Sequence, residues 1–177
     1  YNCQSLLYLN LNNFNTQNIY DMSNLFYNCK SLTSLELMNF KTFRATNMKN
    51  MFYNCYSLNY LDIGKFITTG VTSMNSMFYN CKQLTSLNIN SFQTPEVNDM
   101  QSMFANCEEL SSFNCDSNNF ITPNVINMNS MFSNCKKLTF LNLDSFTATK
   151  VSNMANMFYN CVFLSSLSLD NFGYSPV

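Results

Sequence analysis

Polar and apolar positions follow one rhythm along the whole chain. In LTSLNI, Leu87 and Ile89 are apolar with Asn88 between them. This period-two alternation predicts a short strand with one buried face. Just upstream, in MNSMFYNC, Met74, Met77, Phe78 and Cys81 fall at i, i+3, i+4 and i+7. That spacing gathers four side chains on one side of a 3.6-residue helix, so it predicts a short helix. Each unit then reads strand, turn, loop, short helix.

The unit recurs. Cysteines stand at 3, 29, 55, 81, 107, 135 and 161, spaced by 26 residues except for one step of 28. A leucine follows each at three residues, from Leu6 to Leu164. Leu or Ile follows at six and eight residues, with Phe113 and Cys115 as exceptions. A Phe column (Phe14 to Phe172), a mostly Val column, two Met columns and a second Phe column complete the unit, and Met38 is the one Met outside them. One such unit cannot bury its own apolar face, so the array folds as a stack. The expected fold is an α/β solenoid with a parallel β-sheet on one wall and short helices on the other. It spans residues 1–177 as one domain of about six and a half units, part of a longer array.

Composition narrows the function. Hydrophobic residues make up 46%, charged residues 11%, and the net charge is -1. A nucleic-acid binder would carry a basic footprint, which is missing here. No apolar run approaches the ~20 residues of a membrane span. There is no histidine, so the commonest general base and metal ligand are lacking. The chain opens at Tyr1 without an initiator Met, as a processed chain or fragment would. Cys29, Cys55, Cys81, Cys107, Cys135 and Cys161 share the Met face and read as buried core thiols. Cys115 sits in a Leu/Ile column and reads as core too. Packed helices lie about 8–10 Å apart, too far for neighbouring cysteines to bridge easily. The repeat has no C-x-x-C, so zinc is poorly supported, and a cysteine nucleophile would lack its base. No enzyme and no cofactor is expected.

The unit MFYNCKQLTSLNINSFQTPEVNDM resembles the repeat of the BspA-like leucine-rich-repeat surface proteins, and the resemblance covers the whole chain. It implies a leucine-rich-repeat solenoid, an extracellular or cell-surface location, and adhesion or protein binding. It supplies no catalytic residue. Unit five departs by two extra residues through CDSNNF, and unit six has Ala148 where the other complete units have Thr.

Several columns are candidate sites. The outward strand face carries Asn10, Glu36, Asp62, Asn88, Asn114 and Asn142, with Tyr8, Tyr60 and Phe140 beside them. Such a face suits a protein or a glycan, and it reads equally as a plain solvated sheet face. Asp116, Asp144 and Asp170 stand at strand ends, where calcium would relieve their repulsion. Asx turns explain the same residues without an ion. The Asn column before each Cys, Asn2 to Asn160, reads as a ladder serving loop backbone. The Thr column (Thr16, Thr42, Thr68, Thr94, Thr122) reads as an ice-binding row or as local turn bonds. Tyr1, Tyr27, Tyr53, Tyr79 and Tyr159, interrupted by Ala105 and Ser133, form a partly exposed aromatic stripe, either a protein contact or a shield for the helix wall. Neither YNCQSLLYLNL nor LSSLSLDNFGYSPV carries a polar cap, and Val177 still falls in the Val column. Both ends are expected to be covered by more chain or by a head-to-tail copy. Two functions follow: a surface binding module, or a structural protomer of an extracellular fibre.

Overall fold

The strand alternation is realised directly. The computed structural model describes residues 1–111, 120–170 and 172. Its strands are β1 (Tyr8–Asn10), β2 (Ser34–Glu36), β3 (Tyr60–Asp62), β4 (Ser86–Asn88), β5 (Phe140–Asn142) and β6 (Ser166–Ser168). Each centres on an inward leucine between two outward residues. Pairing is parallel with a one-unit register: Leu9 faces Leu35, Leu61 faces Leu87, and Leu141 faces Leu167.

The helical wall expected from the sequence is not there: the described residues contain no helix. Two positions in each unit explain this. Asn50 and Asn54 have φ of 57° and 60°, and Ser76 and Asn80 have 54° and 60°. These left-handed values cannot sit inside a right-handed helix. Met51 N bonds to Met48 O, and Cys55 N to Phe52 O. Each bond closes a four-residue turn with positive φ at its third residue, the type II condition that Asn meets well. The alternate amides point along the stack instead. Met48, Asn50, Phe52 and Asn54 donate to Ser73, Asn75, Met77 and Tyr79 of the next unit at 2.8–3.1 Å. Chained turns therefore put Met, Met, Phe and Cys inward with the spacing a helix would use. A row of parallel bridges through Asp21, Asn47, Ser73, Asp99, Asn127 and Asn153 opens this wall. Both walls therefore rise by the strand spacing of about 4.8 Å per unit.

Between the walls the repeat columns become stacks. Phe26, Phe52, Phe78, Phe104, Phe132 and Phe158 form one run of near-parallel rings with centroids 5.3–6.1 Å apart. Met74, Met77, Leu84 and Val97 are fully buried beside it.

Side chains also join the units. Thr68, 1% exposed, donates its hydroxyl to Gln93 O at 2.7 Å and accepts from Gln93 N at 2.9 Å. Thr16, Thr42 and Thr122 make the same reciprocal pair. These bonds run between units, not within a local turn, and burial removes the column from any ice-binding role. The Asn ladder likewise differs from expectation. It runs side chain to side chain: Asn28 donates to Asn2, Asn54 to Asn28 and Asn80 to Asn54 at 2.7–2.9 Å.

The expected free, buried thiols have a different cause from the one inferred. No helix spacing separates the cysteines, since neighbours sit at strand spacing. From Cys55 onward each Sγ instead donates to the Phe carbonyl of the preceding unit, as Cys55 does to Phe26, Cys81 to Phe52 and Cys107 to Phe78, at 3.2–3.3 Å. In-register side chains lie parallel to one another, and each thiol is turned toward a carbonyl rather than toward a neighbouring thiol. Cys29, Cys55, Cys81, Cys107 and Cys135 are buried and Cys161 is half-buried, all as free thiols. Cys115 lies outside the described residues, as do Phe113 and Val177.

Candidate functional site

The strand wall is not one continuous sheet. β1 pairs with β2, β3 with β4 and β5 with β6, while β2 and β3 do not pair. Elsewhere a seam is closed by bonds such as Leu11 N to Glu36 O, Ile63 N to Asn88 O, and Thr85 N and Ser86 N to Asn59 O. Among the described residues the equivalent bonds from Leu37, Asn59 and Tyr60 are missing. The turn wall stays closed at the same level, with Asn47 bridged to Ser73. The two units are therefore splayed on the strand side alone. The sequence offers a physical reason. Glu36 and Asp62 are successive members of the outward column, and like charges directly opposite destabilise strand pairing. At the paired seams an acid meets a neutral neighbour: Asn10 donates to Glu36 at 2.6 Å, and Asn88 donates to Asp62 at 3.1 Å.

A cleft of ≈ 260 Å³ opens at this seam. Leu35, Leu37, Ile63 and Phe66 supply its apolar lining. Glu36, Tyr60 and Asp62 stand at it with Asn12, Met38 and Lys65. Tyr60 is 55% exposed and Met38 66%. Glu36 is held in place: Tyr8 Oη donates to Oε1 at 2.9 Å, and Asn10 and Asn12 donate to Oε2 at 2.6 and 2.9 Å. Asp62 Oδ1 accepts from Gly64 N at 3.0 Å. A side chain at Gly64 would strike Asn88, whose Nδ2 lies 2.5 Å from where a Cβ would stand. A larger residue here would push the end of the Asn88 side chain aside.

The sequence over residues 1–112, and again over 85–175, matches the family described as Mycoplasma protein of unknown function, DUF285. The chain belongs to the DUF285 family. No curated protein matches it. Among solved structures, a leucine rich cell surface protein from Faecalibacterium prausnitzii A2-165 is 16% identical with a TM-score of 0.45. The match covers 97% of this chain and 57% of that one, so the DUF285 chain spans little more than half of that protein's length.

Other candidate residues of this DUF285 chain have local duties. Asn10, Asp62, Asn88 and Asn142 each accept, through Oδ1, the backbone amide two residues on, at 2.8–3.3 Å. The outward Asx column is thus partly spent on its own turns. Phe140 is 51% exposed but lies at β5, away from the cleft. Asn114 and Asp116 lie outside the described residues. Asp144 accepts from Ser168 Oγ at 2.7 Å and from Asp170 N at 3.0 Å, and these bonds hold its carboxyl below the usual range. No group of three acidic, Cys or His side chains among the described residues could hold a metal ion.

The tyrosine stripe is a stack. Tyr1, Tyr27, Tyr53 and Tyr79 lie with centroids 4.7–5.1 Å apart and planes within 12° of parallel. Within the stack their faces cover one another, while Tyr1 at its end is 68% exposed. Tyr159, beyond the interruption, is exposed. Burial pushes the thiol of Cys107 up to about 12 and that of Cys81 well above its ordinary value. Neither is a thiolate near neutral pH.

Sequence reasoning named Glu36, Tyr60 and Asp62 but missed the cleft they share with Met38 and Lys65. Two signals were available. Met38 alone left the Met columns, and only here do two acids follow each other in the outward column.

Proposed function

We propose that this chain is a non-enzymatic binding module, acting outside the cell or at a cell surface, that holds a protein partner on its strand wall. The observation that carries this reading is the open seam. It places an exposed tyrosine, two carboxylates and an apolar lining on a wall whose other polar groups mostly serve their own turns. Rigid elements carrying exposed aromatic residues beside a cleft suit protein recognition. The resemblance of the repeat to BspA-like surface proteins supports the location. Purified extracellular matrix proteins and a glycan panel would be presented to the immobilised 177-residue protein. A protein ligand should be retained. Combined Tyr8→Ala and Tyr60→Ala should weaken it at least tenfold, while Tyr27→Ala leaves it unchanged. Binding of glycans alone, or loss through Tyr27→Ala with the strand face indifferent, contradicts the reading.

A further inference from the structure

We propose that the wedge between β2 and β3 is a socket for one basic side chain, lysine or arginine, presented by an extended segment of the protein partner. This rests on the strand-wall reading and names the chemistry that the wall selects. Three independent features meet at the seam. The first is shape: the cleft, ≈ 260 Å³, is bounded by Leu35, Leu37, Ile63 and Phe66, an apolar channel for the methylene stem of a long cationic side chain. The second is charge. Glu36 and Asp62 stand on the two lips. The Tyr8, Asn10 and Asn12 bonds pre-set the Glu36 carboxylate, and Tyr60 adds an exposed ring for a cation to approach. The third is backbone. Leu37 is 6% exposed and lines the cleft, yet among the described residues its amide has no acceptor. Buried amides without a partner are rare, and a carbonyl of an extended ligand would supply one.

The same cause explains both the opening and the selectivity. Like charges at successive positions of the outward column disfavour strand pairing, and a cation bound beside both carboxylates would offset that. Lys65 lines the cleft too and makes no ion pair with either carboxylate among the described residues. Two carboxylates against one ammonium leave the socket one charge negative, and Lys65 opposes an incoming cation.

The test is a backbone-amide NMR titration of the 177-residue protein with N-acetyl-arginine amide, with N-acetyl-citrulline amide as its uncharged counterpart. Arginine should give saturable shifts at residues 36–38 and 60–65, and citrulline should not. Lys65→Ala should tighten the response several-fold. Combined Glu36→Gln and Asp62→Asn should weaken it at least tenfold. Equal responses to arginine and citrulline, or arginine shifts that map away from the seam, overturn the socket, and the wild-type comparison decides this without any variant. A response to calcium chloride with none to arginine overturns it in favour of an ion site. Partner binding that depends on Tyr8 but ignores Glu36 and Asp62 sinks the socket and leaves the strand-wall reading standing. An arginine response at the seam with no protein partner retained does the reverse.

Discussion

Replacing Asn54 separates a turn wall from a helical wall by the sign of the effect. Asn54 has φ of 60°. Its Nδ2 donates to Asn28 at 2.7 Å, and its Oδ1 accepts from Asn80 at 2.9 Å. Either Ala or Gly loses both ladder bonds, roughly 2 kcal/mol together at about 1 kcal/mol each. Gly then accepts the left-handed backbone freely. Ala resists it, and at positive φ falls below Gly by about 1 kcal/mol. The expected order is Asn, then Gly about 2 kcal/mol lower, then Ala about 3 kcal/mol lower. For a chain of this size that places Ala roughly 6–12 °C below the wild-type Tm. In a helix the last two would swap, since Ala exceeds Gly there by about 1 kcal/mol. Urea unfolding at fixed temperature gives the three stabilities. Ala equal to or above Gly would refute the left-handed wall.

Further expectations follow from the joints between units. Thr68→Val keeps the shape but strips the reciprocal bond to Gln93, and should cost about 2 kcal/mol in urea melts, whereas Thr68→Ser keeps the hydroxyl and costs less. Phe78, fully buried within the ring stack, should cost about 3–5 kcal/mol on truncation to Ala, and a loss under 1 kcal/mol would contradict the stacked core. Thiol labelling of native protein, mapped by mass spectrometry, should reach exposed Cys3 first and buried Cys81, Cys107 and Cys135 last. Burial raises these thiols above the ordinary 9.0, Cys107 to about 12. Below pH about 9 both folded and unfolded chains hold the proton and the contribution is intact. Above it the unfolded chain releases protons that the folded chain keeps, so stability falls as pH rises toward 12. The alkaline drop in Tm should shrink in Cys107→Ala.

The columns made the solenoid, the strands and most of the core legible, because period-two alternation around Leu87 has few other solutions. The second wall was misread for an identifiable reason. Met74, Met77, Phe78 and Cys81 lie on one side of a helix, and also on the inner side of two linked turns with left-handed corners at Ser76 and Asn80. Apolar spacing cannot tell these apart. The polar residues between could have, since Asn or Ser recurs at both corners in every unit (24 and 28, 50 and 54, 76 and 80), and these residues favour turns over helix interiors. The polar column that opens the wall, Asp21 to Asn153 with Ser73 among its Asx residues, was overlooked for the same cause. Each member accepts the amide two residues on, as Asp99 does from Gln101 at 3.0 Å. The candidate face was legible as a row of residue types. Its cleft was not, because the opening depends on which two units place their acids side by side.

An open seam between β2 and β3 separates a binding wall from a plain ladder. Amide hydrogen exchange measured residue by residue reads it directly. Leu37, Asn59 and Tyr60 should exchange at least a hundredfold faster than Ile63, Thr85 and Ser86, which make the closing bonds at the next seam, while Met48 and Phe52 on the turn wall stay protected. Protection at Leu37, Asn59 and Tyr60 equal to that of Ile63, Thr85 and Ser86 would mean a closed strand wall, with no cleft for a partner to enter.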